Sequence, residues 1–420
     1  MEHGVHFARR NGLLRQQWLL YLLLFSAGVT VLARLGWTTF WTPLHVQTMS
    51  PPFADLRSIQ GGLVSLERGS WPQRANPGDP WGRTMDYPSV WLWLARVLGF
   101  RNEAAFLAFG TASVLVFVGA CAYLLARYPS WIMLVGALSP AALMAIERGN
   151  TDMLAFVLLL ACAGLGRLPS SVLFFIATGI KIFPGFVLHV PAVQRDWRRL
   201  ALYAGSALAV ALLLRNQLPI ILHGNTAVGP LSYGAPTLRW TLGRVAARAG
   251  VPGPLVLGPA VILMAAALVL AFKVCPTEGP TDAHSRVLFL TGSSIYIYTY
   301  LFAANWDYRL IFVLPCLPYL RRALGSYGHV CCVCALLALN AVWLTDSNET
   351  VVLAQAAEAG LFVMLIPPAF APIRQQTSTS PAGSPPLAWM RTTYGGSFRL
   401  SATGTGPQRR RSSPCPAGAA

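Results

Sequence analysis

The chain has 420 residues, of which 55% are hydrophobic and only 11% charged. An ordinary soluble domain carries roughly 25% charged residues. That deficit, with a mean hydropathy of +0.52, excludes a water-soluble enzyme and equally a disordered or fibrous chain. The net charge is +17, from 32 Lys and Arg against 15 Asp and Glu. It fits the Arg-rich cytoplasmic loops of a membrane protein better than a nucleic-acid surface.

The apolar residues fall in runs close to the ~20 needed to cross a bilayer as a helix. They predict an all-α polytopic bundle with spans near 17–36, 104–126, 131–147, 152–166, 200–222, 255–273, 287–304, 308–320, 329–346 and 350–370. Arg9, Arg10 and Arg15 precede the first run. The run is long for a signal peptide and lacks a clean small-residue cleavage site, so it reads as an uncleaved first span. The arginines place residues 1–16 in the cytoplasm. The long loop 37–103 then lies on the outer side. Within it, Ser89–Phe100 carries Trp91, Trp93 and Arg96 and is too short to cross, which suits a helix lying in the interface.

An eleventh apolar segment, 171–193, conflicts with this topology, because Arg195, Arg198 and Arg199 also look cytoplasmic. Lys181 in its middle and Pro184 three residues on predict a re-entrant or broken helix. The ten remaining spans put both termini in the cytoplasm. A second outer loop, 223–254, is rich in Gly and Pro. The tail 372–420 is rich in Ser, Thr, Pro and Gly, has too little apolar content to fold alone, and reads as a disordered cytoplasmic tail. The expected transmembrane domain is therefore 17–371. Cys331, Cys332 and Cys334 sit in an apolar run without a histidine at zinc spacing, so they read as small lipid-embedded residues, with palmitoylation as the alternative.

This topology gathers charges of both signs at the outer face. Asp55, Asp79, Asp86, Glu147, Asp152, Asp307, Asp346 and Glu349 fall there with Arg57, Arg83, Arg148 and Arg309. Charges at span ends are costly unless paired or hydrated, so the cluster suggests a polar cavity at the membrane boundary. Asp79, Asp346 and Glu349 read better as solvated loop charges. Asp55 follows the first span closely and can take a proton from a hydroxyl. Gly149 allows a sharp turn between two spans, and Asn150 or Asp152 can cap the next helix. Lys181 inside an apolar segment is a compact cation suited to phosphate, unless it snorkels to the interface. Arg309 can hold a phosphate, unless it forms a structural pair with Asp307. No P-loop, dinucleotide glycine fingerprint, His-Glu-x-x-His or nucleophile elbow is present in the sequence.

Three motifs carry a resemblance. An Asp follows the first span in Phe53-Ala54-Asp55-Leu56-Arg57, with an Asn-Pro and a Tyr-Pro later in the loop. A Gly149-Asn150-Thr151-Asp152 turn joins two spans. A Lys-x-x-Pro follows about thirty residues on, Lys181 to Pro184. Over residues 15–320 the chain resembles the GT-C superfamily of integral membrane glycosyltransferases, in particular the bacterial polyprenyl-phosphate-mannose-dependent alpha-mannosyltransferases.

The resemblance implies transfer of a sugar, mannose, from a polyprenyl phosphate to an acceptor hydroxyl with inversion. It implies no metal and no cofactor. Asp55 is the implied base, and Lys181, Arg148 and Arg309 the implied donor-phosphate contacts. Asp86, Asp152 and Asp307 are implied to orient the acceptor or the cations. Arg57 and Asn150 complete the expected substrate-binding set. The expected partners are the lipid-linked sugar, a glycan or lipid acceptor and membrane lipids, with no nucleic acid. The expected location is the plasma membrane of a bacterium or the endoplasmic reticulum membrane of a eukaryote. The competing readings are a transporter or flippase for a lipid-linked or anionic solute, and a membrane assembly factor with a decayed site. A transporter is expected to show an internal repeat, and none is evident.

Overall fold

The computed structural model describes residues 16–223, 228–276, 282–340 and 348–371. The expected tail, 372–420, and Asp346 lie outside them, as does the expected cytoplasmic N-terminus apart from Gln16. Glu349 falls within the last helix. The described residues are almost wholly helical. In chain order the helices are α1 (Gln17–Leu35), α2 (Trp37–Trp41), α3 (Ala54–Glu67), α4 (Val90–Val97), α5 (Glu103–Arg127), α6 (Trp131–Ala137), α7 (Pro140–Arg148), α8 (Asp152–Gly164) and α9 (Arg167–Ile180). There follow a 3-10 turn (Phe183–Leu188), α10 (His189–Val193), α11 (Trp197–Leu213), α12 (Leu218–His223), α13 (Ala235–Arg248), α14 (Gly253–Val274) and α15 (Ala283–Phe302). A 3-10 stretch (Asp307–Cys316), α16 (Leu317–Ala323), α17 (Gly325–Leu339) and α18 (Asn348–Phe370) complete the bundle. The two-residue strands β1 (Ser232–Tyr233) and β2 (Asn305–Trp306) pair antiparallel.

Among the described residues, five helical segments are long and apolar enough to cross a membrane: Gln17–Leu35, Glu103–Arg127, Trp131–Arg148, Gly253–Val274 and Thr350–Phe370. Each coincides with an expected span. The protein is thus an integral membrane protein by its helices. α14 shows why: it is apolar all round, yet Leu255, Ile262, Leu263 and Leu270 all point outward. A helix of that kind needs an apolar surrounding.

The other expected spans take different forms. Apolar helices over Asp152–Gly164 and Gly325–Leu339 are shorter than a full crossing. The run expected at 308–320 is a 3-10 stretch followed by a short helix, because Pro315 and Pro318 remove two helix donors. The run expected at 200–222 is interrupted after Leu213. The run expected at 287–304 is α15, the buried central helix. It packs on the 3-10 stretch 307–316, on α8 and on α18. Its hydropathy is diluted by hydroxyls that bond within the helix, as Thr299 Oγ1 does to the Ile295 carbonyl at 2.7 Å.

Segment 171–193 breaks where the lysine stands. α9 ends at Ile180, Lys181 is extended, and a tight turn with Pro184 at its start follows. The break leaves the last carbonyls of α9 without helical partners. Trp91 of α4 satisfies one: its Nε1 donates to the Ile180 carbonyl at 2.9 Å. α4 therefore lies over the break with Trp91 buried and Trp93 62% exposed.

The loop 37–103 also holds an unexpected longer helix, α3. Its Gly61 faces Gly78 so closely that a Cβ on Gly61 would come within 2.5 Å of the Asp79 backbone nitrogen. Only glycines allow residues 76–79 to lie on this helix. Asn76 locks the contact, donating to the Ser58 carbonyl at 3.0 Å.

Candidate active site

Phe53 and Gly149 set the base of the site. Both adopt left-handed backbone, at φ 63° and 59°. A left-handed phenylalanine is strained and is held by packing: its ring meets Trp37 edge-on at 5.3 Å. Gly149 lies against it, and a Cβ there would come within 2.7 Å of Phe53 Cβ. This contact brings the start of α3 against the turn between α7 and α8. Asp55, in the first turn of α3, is thereby placed beside Asn150.

Asn150 is fully buried and uses both ends of its amide. Its Nδ2 donates to Asp55 Oδ2 at 2.5 Å, and its Oδ1 accepts the Asp152 backbone N–H at 2.7 Å. Arg83 reaches the other oxygen of Asp55 at 3.3 Å. Arg83 is itself fixed by Asp79, at 3.0 Å. Asp79, expected as a solvated loop charge, is instead buried. It also accepts the backbone N–H groups of Trp81 and Arg83, at 3.1 and 2.9 Å, and so shapes the loop.

Asp152, at the start of α8, is fully buried and neutralises two cations. Lys181 Nζ lies 3.1 Å from one oxygen and Arg309 Nε 3.0 Å from the other. Lys181 also stacks over the Tyr87 ring at 4.3 Å, and Arg309 over Phe183 at 4.5 Å. Arg309 further bonds Asn305 Oδ1. The alternative of an Asp307–Arg309 pair does not form. Lys181 does not snorkel to a surface, because the break in α9 turns it toward Asp152.

A further ion pair stands at the end of α7. Arg148 pairs with Glu147 at 3.1 Å and donates to the Gln47 carbonyl at 3.0 Å. Glu147 accepts the Met49 N–H at 2.8 Å and the Trp37 Nε1–H at 3.3 Å.

These elements enclose a cavity of about 570 Å³, of the size that holds small molecules. Asp55, Arg83, Asp86, Tyr87, Arg148 and Tyr308 are among its lining residues. Burial pushes the Asp86 carboxyl above its ordinary value, against the pull of Lys181. Burial likewise holds the Tyr87 hydroxyl well above its ordinary value, so it stays a neutral hydrogen-bonding group.

Of the expected set, Asp55, Asp86 and Arg148 line the cavity, while Asn150, Asp152, Lys181 and Arg309 stand directly behind it. Two residues are placed elsewhere. Arg57 is turned away and engages Glu103 in two hydrogen bonds, at 2.5 and 3.1 Å, with its guanidinium over Phe106. Asp307 is buried outside the cavity lining, and its backbone N–H donates to the Leu231 carbonyl at 3.1 Å. Arg83 was visible in the sequence only as one outer-face charge among several. Its spacing of four residues from Asp79 is the signal that singles it out. Among the described residues no three His, Cys, Asp or Glu side chains converge as metal ligands.

Residues 86–292 match the family model of Glycosyltransferase family 87. The protein is a glycosyltransferase. The match decides between the enzyme and transporter readings, and it extends from Asp86 in the cavity wall to Gly292 in α15. Arg148, Asn150, Asp152 and Lys181 of this glycosyltransferase lie inside the matched stretch, and Asp55 and Arg309 outside it. No curated protein and no solved structure matches the chain.

Proposed function

We propose that this glycosyltransferase moves a mannosyl unit from a polyprenyl-phosphate donor to an acceptor hydroxyl, with inversion, at the outer membrane boundary. The observation that carries the reading is the position of Asp55. It stands in the wall of a cavity with both carboxylate oxygens engaged, by Asn150 and Arg83. A fixed carboxylate at the mouth of a polar cavity is the arrangement a general base requires.

The chemistry balances simply. The acceptor oxygen attacks the anomeric carbon and gives its proton to Asp55. The bond from that carbon to the phosphate oxygen breaks, and the phosphate leaves with the electron pair and the lipid. Charge grows on the phosphate as the bond breaks, so fixed cations act most strongly there. Arg148 and Arg83, both in the cavity lining, are the proposed phosphate contacts. Lys181 and Arg309 act from behind the wall, held by Asp152. Asp86 and Tyr87 orient the sugar. Arg57 and Asp307 take no part. A lipid-borne leaving group also suits a chain whose apolar helices face outward, because the donor's tail can stay in the bilayer.

The test supplies membranes containing the full chain with labelled polyprenyl-phosphate mannose or, separately, labelled nucleotide-linked mannose, plus a crude lipid extract as acceptor. Label is expected to enter a product from the lipid donor alone, with the anomeric configuration opposite to the donor's. Transfer from the nucleotide sugar without the lipid donor overturns the donor assignment. Retained configuration overturns the single-displacement step.

A further inference from the structure

We propose that a second cavity, between the loop 37–103 and residues 216–220 and lined by Trp71, Gln73, Arg74, Asn216, Gln217 and Ile220, is a subsite for a pyranose unit of the acceptor glycan. The assignment to the acceptor rests on the transfer reaction above; the binding itself does not. The cavity is about 380 Å³, inside the range of small-molecule sites.

The lining has the chemistry of a sugar site. A pyranose ring presents C–H faces and a rim of hydroxyls that both donate and accept. Trp71 offers the face, being 41% exposed although its neighbour Gln73 is buried. Its orientation is fixed, because Nε1 donates to Gln73 Oε1 at 3.1 Å. An indole held in this way is a flat platform with little entropy left to lose. Around it stand three carboxamides and a guanidinium. Carboxamides both donate and accept, which matches a hydroxyl rim. A phosphate only accepts, and would leave the Asn216 amide oxygen unused, those of Gln73 and Gln217 being already held by Trp71, Gln73 and Ser89. Arg74 and Asn216 are exposed in the lining, so their donors can reach a ligand.

The cavity is also built onto the catalytic one. Gln73 Nε2 donates to the Tyr87 carbonyl at 2.9 Å and to Gln217 Oε1 at 3.3 Å. Gln217 accepts the Ser89 N–H at 2.8 Å and donates to Ser89 Oγ at 2.6 Å. Tyr87 meanwhile lines the catalytic cavity. Tyr87 and Ser89 thus hold Gln73 and Gln217 of the second cavity, while Tyr87 also lines the first. A glycan with its reacting hydroxyl at Asp55 can set a remote unit on Trp71. Binding energy from such a remote unit positions the reacting end.

Two measurements on the full chain in detergent micelles test this. Saturation-transfer NMR uses a panel of mannose, glucose and galactose trisaccharides as probes. At least one is expected to show transfer that is lost in Trp71→Ala, weakened in Arg74→Ala, and retained in Trp71→Phe and in Asp55→Asn. No transfer from any probe, or equal transfer in Trp71→Ala, overturns the subsite. In steady-state assays Trp71→Ala is expected to raise the acceptor KM about tenfold with kcat and donor KM unchanged, the pattern of lost uniform binding. An unchanged acceptor KM overturns the link to the acceptor. Loss of transfer in Asp55→Asn beside unaltered Trp71→Ala kinetics removes the acceptor assignment and leaves the catalytic reading standing.

Discussion

Asp152→Asn is the sharpest structural perturbation of the site. The change keeps the shape of the side chain and removes one charge. Asp152 is completely buried, and the side chains of its two partners, Lys181 and Arg309, are only 10% and 17% exposed. Removing one partner of a buried ion pair costs about 3–5 kcal/mol, because the remaining charge is left uncompensated. Here two cations lose the same partner, but the cost does not double. Lys181 keeps the Tyr87 face and Arg309 keeps Phe183 and Asn305, so neither cation is left wholly without a partner. The expected loss therefore stays near 3–5 kcal/mol, a large part of the roughly 5–15 kcal/mol that holds a typical protein folded. Thermal inactivation in detergent micelles, followed by the fraction surviving as a monodisperse peak, should show a fall of roughly 5–10 °C. Adding Lys181→Met should recover part of it, because one orphaned cation disappears. Asp152→Asn within about 1 kcal/mol of wild type, or a double variant less stable than Asp152→Asn, would refute the account of a buried charge held by two cations.

Other outcomes follow from the same geometry. Asn150→Ala should lower kcat by about 10²-fold through misplacement of Asp55, with the acceptor KM nearly unchanged. Asn150→Asp puts a like charge against Asp55, so the acidic limb of the pH–rate profile should move to higher pH, a shift that a merely structural role of Asn150 would not produce. Asp86 provides a pH signature of stability. Its carboxyl is raised by burial, opposed by Lys181 and Arg309 and reinforced by Asp55. A raised carboxyl contributes stability that is complete at low pH and is lost as pH rises through the raised value. Thermal stability measured from about pH 4 to 8 should therefore fall in wild type relative to Asp86→Asn as pH increases. A constant difference between the two across that range would sink the assignment.

Local pattern and long-range pairing were unequally legible. The helices that face outward, such as α14, are written in uninterrupted apolar runs. The break in α9 was legible too, because an interior Lys181 and Pro184 conflict with a straight span. α15 was expected as the span 287–304, but its polar residues, such as Thr299, which bonds the Ile295 carbonyl, mark a helix buried in the bundle. α3 was missed because Gly61 and Gly62 resemble loop residues until Gly78 is seen against them. At the site, the three motifs around Asp55, Asn150 and Lys181 do converge. The partners of individual charges could not be read from spacing. Arg57 meets Glu103 from 46 residues away and Arg309 meets Asp152 from 157 away. Both choices are made by packing of distant helices, which no local periodicity encodes.

The central claim is that Asp55 takes the acceptor's proton. The direct measurement compares wild type with Asp55→Asn at matched levels in membranes, following transfer of label from polyprenyl-phosphate mannose under saturating acceptor. The substitution is nearly isosteric and preserves an oxygen that can still accept from Asn150, so the fold should survive. Loss of a positioned general base predicts a transfer rate lower by about 10²–10⁴-fold, with the acceptor still bound. Transfer within a few-fold of wild type would contradict the claim and remove Asp55 from the chemistry.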